Sequence, residues 1–377
     1  MYVIIGAGIG GLTTALAFEK LNIPYHLYEK AATINAIGAG IWLAPNALKV
    51  FEWLGILDQI KLAGNSIDRI TIATSTLKTL TDSKQDDAKE QYGYSTVAIH
   101  RAELQKVLAK NVPTDKISWG KGLSSYVENK ENITLTFLDG TTTKTDYLIA
   151  ADGINSVIRK QLFPESEIRY SGQTCWRGVT SFSIGEEFNH RGLEMWGKET
   201  RFGISRLSKD KTSWFAVVKS KPFLTDNREI LKEDLLARYA DYTSIVKDLI
   251  ANTDINAILR NDIIDLKPIK KWYSNRVCLL GDAGHATTPN MGQGGAQAIE
   301  DAYFLSKVIA ENTTKDAFKE FQKVRYKKVS SIVNQSWLTG KVAHIGFGAS
   351  IRNMVFKSMP KSMIDKKMHY IYTLDKE

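Results

Sequence analysis

A chain of 377 residues, 43% hydrophobic and 24% charged, is long enough for one large or two ordinary domains around an ample core. It has no run of about 18 apolar residues, and its two cysteines, Cys175 and Cys278, form neither a disulfide framework nor a zinc pattern, which excludes a membrane-spanning bundle, a disulfide scaffold and a zinc module. The net charge of +9 is scattered among acids with no basic tract or recognised module, so it reads as a solvated surface with weak steering of anionic ligands and excludes a dedicated nucleic-acid binder.

The N-terminus enters an apolar strand at Tyr2–Ile5 without a basic, cleavable leader, from which a cytoplasmic location is expected. Gly6-Ala7-Gly8-Ile9-Gly10-Gly11 follows and opens an amphipathic helix expected over Leu12–Leu21. Gly6, Gly8 and Gly11 match G-x-G-x-x-G: the first serves a tight turn, the second lets a pyrophosphate approach the backbone, and the third lets helix and strand pack closely. A second strand, Tyr25–Tyr28, ends at Glu29-Lys30, where a carboxylate can accept hydrogen bonds from ribose hydroxyls.

Gly38-Ala39-Gly40 makes a second glycine-rich passage, and Pro45-Asn46 starts a helix reaching about Leu54 before Gly55. Arg101 stands at the start of a helix to Lys110, where a guanidinium can pair with a pyrophosphate. Ile117–Gly120, Leu123–Glu128 and Ile133–Phe137 read as an inserted group of strands with a hairpin at Asp139-Gly140. The parallel sheet returns at Tyr147–Ala151 and is followed by Asp152-Gly153 and a helix over Ser156–Leu162.

From Tyr170 to Val218 aromatic strand candidates dominate, with Trp176, Trp196, Phe202 and Trp214 among them, and helices follow at Leu231–Tyr239 and Ser244–Ala251. This predicts an antiparallel sheet layered on the nucleotide domain, one face of which roofs the active site. The chain then returns through the strand Val277–Leu280 to Gly281-Asp282-Ala283-Gly284-His285, the turn Thr287-Thr288-Pro289-Asn290, and Gly292-Gln293-Gly294-Gly295-Ala296. A helix from Gly294 onward would present bare N–H groups to a negatively charged ligand at its start. Helices are expected over Phe304–Ala310 and Phe318–Ser336, and the C-terminal Lys357, Lys361, Lys366 and Lys367 interleave with methionines in a segment that caps the body or touches a membrane surface.

Gly6–Gly11 with Glu29, Asp152-Gly153 and the Gly281-Asp282 block together resemble the single-component, class A flavoprotein monooxygenases with the aromatic hydroxylase fold, over essentially the whole chain. Trp176-Arg177-Gly178, the Gly38–Asn46 passage and the Ile351-Arg352-Asn353 tail are similar to the salicylate hydroxylase, urate hydroxylase and zeaxanthin epoxidase branch. The resemblance implies an α/β fold: a Rossmann-like FAD-binding domain (1–168 and 270–340) interwoven with an antiparallel-sheet substrate domain (169–269), plus C-terminal helices (341–377).

It also implies that FAD is held by Gly6, Gly8, Gly10, Gly11, Glu29, Lys30, Arg101, Leu123, Asp152, Asp282, Gly292, Gln293, Gly294, Gly295 and Ala296, with no metal. Electrons would come from NAD(P)H, docking transiently because a second dinucleotide fingerprint is absent from the sequence. Through a flavin C4a-hydroperoxide, O2 would then hydroxylate an aromatic or polycyclic small molecule. Arg201, Pro289 and Asn290 are the expected catalytic group. Asn290 departs from the urate hydroxylases, which carry an aspartate there as proton acceptor, because an amide is no base; Trp214 stands near their tyrosine. His285 reads as structural. The alternatives are an isoprenoid epoxidase, a flavin reductase or oxidase of the same fold, and a non-enzymatic carrier like the Rab GDP dissociation inhibitors.

Overall fold

The structure is a computed structural model that describes residues 1–34, 38–311, 314–345, 353–354, 358 and 360–374. Four short apolar strands and one outer strand build a parallel sheet in the order Val277–Leu279, Tyr147–Ala150, Tyr2–Ile5, Tyr25–Tyr28, Ile117–Ser118. Ile117–Ser118 therefore completes the parallel sheet and does not belong to the insertion. Leu123–Glu128, Ile133–Phe137 and Thr142–Thr145 form the inserted antiparallel meander. Its hairpin turns at Gly140 with φ +79°, a left-handed conformation that glycine adopts without strain.

The first helix, Ile9–Lys20, is not amphipathic as expected: every residue from Gly11 to Phe18 is buried. It packs against helix Gly294–Glu311 on one side and the parallel sheet on the other, so no face is left for solvent. Its buried Thr13 and Thr14 hydroxyls donate back to the Ile9 and Gly10 carbonyls at 2.7 and 2.8 Å, so both find partners inside the helix.

The second layer is a seven-stranded sheet in the order Leu259–Leu266, Ile168–Thr180, Lys211–Lys219, Thr200–Ser208, Arg191–Trp196, Arg69–Thr74, Thr79–Lys84. Its last two strands come from inside the 1–168 segment, and Arg69–Thr74 joins it parallel to Arg191–Trp196. Trp176, Phe202 and Trp214 all point to the outer face, under the helices Leu231–Arg238 and Ser244–Ala251. Trp214, which stands in the sequence near the urate hydroxylases' tyrosine, is 1% exposed, stacks on Phe202 at 5.5 Å and donates to the Thr253 hydroxyl, so it belongs to that core. With the strand period of two, its neighbour Phe215 lies on the opposite, inner face of the sheet.

A third strand group, Gly40–Leu43, Thr96–His100 and Gly64–Ile67, joins the layers. Gly40 donates from its backbone to the Ser213 hydroxyl at 3.0 Å, and a Cβ on Gly192 would collide with the Trp42 ring. The helix Lys361–Tyr372 caps the body, placing Met368, Ile371 and Tyr372 against Ala44, Tyr92 and Met291. Lys357 and the Ile351-Arg352 pair lie outside the described residues.

One buried polar cluster fastens this frame. Arg325, on helix Thr314–Ala343, donates from Nε to Asp301 at 2.8 Å, from Nη1 to Glu300 at 2.6 Å and from Nη2 to the Gln297 side chain at 2.6 Å. Asp301 also bonds His285 Nε2 at 2.5 Å and accepts from the Gly281 N–H at 3.0 Å. Burial alone would raise the Asp301 carboxyl, but the charges and hydrogen bonds of His285 and Arg325 overcome it and hold the pKa down at about 2. His285 is thus committed to a buried pair, in keeping with a structural role.

Arg325→Ala leaves two buried carboxylates without their main partner and is expected to cost about 3–5 kcal/mol of stability, measured by urea unfolding. Because Asp301 titrates lower in the folded than in the unfolded protein, its contribution is complete above its ordinary value of 3.8 and is lost as pH falls toward about 2. Acid unfolding of the Arg325→Ala variant should therefore begin at higher pH than in the parent. An unchanged acid limb would place the acid sensitivity elsewhere.

Candidate active site

The carboxyl ends of the parallel strands bring the three sequence motifs to one crevice: Ile5 leads to Gly6, Tyr28 to Glu29, Ala150 to Asp152, and Leu279 to Gly281-Asp282. Gly6 has φ +106° and a Cβ there would collide with the Ala151 carbonyl, while a Cβ on Gly11 would collide with the Gly6 carbonyl. Those two positions need glycine for close packing. Gly8 differs, because none of the described residues lies within 4 Å of where its Cβ would be, so its backbone borders open space at the start of helix Ile9–Lys20. Gly10 packs closely: a Cβ would fall 2.9 Å from Leu280 and 3.2 Å from Ala298.

Glu29 accepts from the Ala7 N–H at 2.6 Å and the Ala31 N–H at 2.8 Å, which fixes its carboxylate at the rim of the glycine loop. Lys30 is exposed beside it, and the side chain of Leu123 is 8% exposed within the core at the head of the neighbouring meander. Arg101, exposed at the first turn of helix Arg101–Lys110, and Gln105 share one face of that helix. Gln105 reaches the Ala7 carbonyl at 2.6 Å, so this face borders the glycine loop. Sequence reasoning missed Gln105, which carries no motif.

Asp152 accepts from the Val157 N–H at 2.9 Å through Oδ2, whereas its buried Oδ1 has no hydrogen-bond partner among the described residues. Arg159, 1% exposed and also missed from sequence, ties the Asp152 turn to the Asp282 turn by donating to the Ile154 carbonyl at 2.5 Å and the Ala283 carbonyl at 3.2 Å. Asp282 is exposed by surface area yet enclosed by protein on the crevice wall. That enclosure raises its carboxyl pKa, and the charges of His285, Arg101 and Arg159 pull against the rise.

Gly292 adopts φ +63° and turns the chain into helix Gly294–Glu311. The Gln293 side chain accepts from Asn46 at 3.2 Å and Gln297 at 3.0 Å, and its carbonyl accepts the Gln297 N–H at 2.8 Å. Nothing but Thr287 at 3.5 Å and Ile9 at 3.9 Å approaches the missing Cβ positions of Gly294 and Gly295. The backbone at Gly294 and Gly295 is thus free of bulk and lies at the positive end of this helix, while Ala296, one residue on, is buried. Open backbone at Gly8, a fixed carboxylate at Glu29, a cation at Arg101, an unpartnered Asp152 oxygen and two helix starts suit a dinucleotide carrying a pyrophosphate, and FAD fits them.

The seven-stranded sheet supplies the other wall. Arg201 is 3% exposed and donates from Nη2 to Asn290 Oδ1 at 2.6 Å and from Nη1 to Glu194 Oε1 at 3.2 Å; its Nε has no hydrogen-bond partner among the described residues. Asn290 in turn donates to the Thr288 hydroxyl at 2.9 Å and the Ser336 carbonyl at 3.0 Å. Pro289 is exposed at the start of the single turn Pro289–Met291. The structure therefore brings Arg201 and Asn290, two of the three residues in the expected catalytic group, into contact and adds Glu194. Trp42 and Phe215 stand half-buried on the inner side, the Phe215 ring occupying the space that a side chain on Gly203 would fill.

Open surface depressions lined by Asp68, Arg69, Glu187 and His190, and by Leu224, Arg260 and Asp262, share no residue with this crevice. Among the described residues no cluster of His, Cys, Asp or Glu could hold a metal ion, and no helix is long and apolar enough to cross a membrane.

Comparison with known proteins agrees with this geometry. Residues 2–334 match the family model described as FAD binding domain. The chain is 33% identical to aurachin C monooxygenase/isomerase of Stigmatella aurantiaca, covering 97% of this chain and 95% of that protein. It is 30% identical to 2-heptyl-3-hydroxy-4(1H)-quinolone synthase of Pseudomonas aeruginosa, with 95% and 94% covered. The fold is similar to that of Klebsiella pneumoniae HpxO complexed with FAD and uric acid, with a TM-score of 0.91, 29% identity and coverage of 98% and 95%. With its strand-end glycine motifs assembled at one crevice, this chain belongs to the family of class A FAD-dependent monooxygenases.

Proposed function

We propose that this protein uses NAD(P)H and O2 to hydroxylate a planar, bicyclic N-heteroaromatic compound. The observation that carries the reading is the contact of Arg201 with Asn290, which puts a buried cation of the substrate sheet against the turn that leads into the cofactor-facing helix. The half-buried Trp42 and Phe215 supply aromatic walls for a planar ring. Two relatives support the substrate class by their names alone: one makes a 4(1H)-quinolone and another binds uric acid.

Bound FAD supplies the redox chemistry, accepting electrons from NAD(P)H and activating O2. The chain's own residues do the rest. The N–H groups at Gly294 and Gly295 and the helix dipole would favour negative charge on a cofactor held at this helix start. Arg201 orients an acceptor group of the substrate, and the aromatic and aliphatic inner face of the sheet keeps water away from the reacting atoms.

Purified protein should be yellow and release FAD on denaturation, and NAD(P)H oxidation should rise on adding a 4-quinolone or a purine, with product carrying one atom of 18O from labelled O2. Colourless protein, or NAD(P)H oxidation indifferent to every compound, would sink this reading. Two substitutions separate the walls. Arg201→Ala should raise KM at least about tenfold, the loss of a charge-assisted hydrogen bond, with FAD content unchanged. Gly294→Pro, which constrains the backbone and removes one N–H, should lower FAD content or slow flavin reduction. Equal loss of FAD in both variants would move Arg201 to the cofactor side.

A further inference from the structure

Glu194 belongs to no motif, and from the strand Arg191–Trp196 it is the one acid among the described residues that shares Arg201 with Asn290. Only one of its oxygens is engaged. Oε1 accepts from Trp196 Nε1 at 2.7 Å and from Arg201 Nη1 at 3.2 Å, while Oε2 has no partner among the described residues. The side chain is 26% exposed although the Arg201 side chain beneath it is 4% exposed, so the free oxygen faces open space on the inner side of the sheet. Its register neighbours there are Gly203, on the adjacent strand and overlain by Phe215, and Ile72.

The surroundings limit what this oxygen can meet. Arg201 and Trp196 are both donors and hold the carboxylate from one side, which fixes the direction of the second oxygen. Asn290 cannot take that part, since its carbonyl is occupied by Arg201 and its two N–H groups by Thr288 and Ser336. An ionised carboxylate oxygen accepts and does not donate. Its complement is an N–H or O–H on the edge of a ring held between Trp42 and Phe215.

We infer that Glu194 is a substrate-binding residue whose Oε2 accepts a hydrogen bond from a ring N–H, and that it selects heteroaromatic substrates in their N–H form. The inference rests on the substrate class proposed above, and it deepens that reading by naming the group that recognises the ring nitrogen. A ring bearing a methyl on that nitrogen loses the bond. A ring presenting a bare nitrogen lone pair meets repulsion from the carboxylate.

The test is calorimetric titration of the FAD-bound protein at pH 8 with 4(1H)-quinolone, 1-methyl-4-quinolone and 4-methoxyquinoline, which present an N–H, an N-methyl and a lone pair. The parent should bind the first about 10- to 100-fold more tightly than the other two, the range of a charge-assisted hydrogen bond. In Glu194→Gln, the amide oxygen can still accept from Trp196 and Arg201 while the NH2 takes the place of Oε2. This variant should lose about tenfold or more for 4(1H)-quinolone, keep its affinity for the N-methyl compound, and gain affinity for 4-methoxyquinoline. Glu194→Asp should retain the parent's order of preference. Melting temperature and flavin content, measured on each variant, report the fold.

Equal weakening toward all three compounds in Glu194→Gln would reduce Glu194 to a support for Arg201 and overturn the inference. So would a parent that does not distinguish the N–H from the N-methyl compound, or that binds none of the three. Oxygen transfer is not read in this titration, so its outcome is independent of whether NAD(P)H and O2 are consumed.

Discussion

Arg325 between Asp301 and Glu300 is the interaction on which the rest of the structure depends. Its guanidinium is 1% exposed, both carboxylates are fully buried, and Lys328 adds a second cation to Glu300 at 3.0 Å. Charges this deep are tolerated only when each donor and acceptor is matched. Here the matching partners come from distant stretches: Asn46 bonds Glu300 at 2.5 Å, His285 bonds Asp301, and Lys328 also reaches the Thr373 carbonyl at 2.8 Å. The cluster therefore sets the angle between the helices Gly294–Glu311 and Thr314–Ala343, anchors the Gly281–His285 turn and joins the C-terminal helix to both. The open N-terminus of helix Gly294–Glu311 can stay bare because its next turns are so firmly held.

Close approach is the second constraint, and it acts at the same place. Gly10 and Gly281 both face Ala298, where a Cβ on Gly281 would fall 2.9 Å from the Ala298 Cβ. The first helix, the Asp282 turn and the helix Gly294–Glu311 thus meet over small residues, which lets two helix starts converge on one crevice. Packing and anion binding come from the same sequence choice. Glycine removes bulk for the neighbour on one side and leaves N–H groups accessible on the other.

Much of this was legible because it is local. The glycine spacing with a strand before it and a helix after it, the acid ending the second strand, and the helix start at Gly294 are each contained within a short run of residues. The parallel strands and the helix Ser244–Ala251 were readable for the same reason. What escaped depends on residues far apart in the chain. Arg159, Arg325, Gln105 and Glu194 look like ordinary surface residues until the fold supplies their partners. The hairpin of Arg69–Thr74 and Thr79–Lys84 joins a sheet whose other strands begin at Ile168, a pairing that no local pattern announces. Trp214 shows the limit of alternation: period two separates it from Phe215, but only the helices laid over one face decide which of the two lies in the core.

Asn290 joins these lines of argument, because its amide is required by its neighbours and is not an acid gone missing. The Ser336 hydroxyl donates to the Thr288 carbonyl at 2.7 Å, so the Thr288 hydroxyl can donate to the Ser336 oxygen at 2.8 Å and has only a lone pair left for residue 290. The Ser336 carbonyl also offers only lone pairs. A residue at 290 must therefore donate twice on one side while accepting from Arg201 on the other, and a carboxylate cannot do this. Asparagine can, and it thereby couples the Pro289–Met291 turn to both the helix Thr314–Ala343 and the substrate sheet. Once position 290 serves as this brace, a carboxylate that interacts with substrate has to stand elsewhere on Arg201, and Glu194 is the acid that occupies its other side.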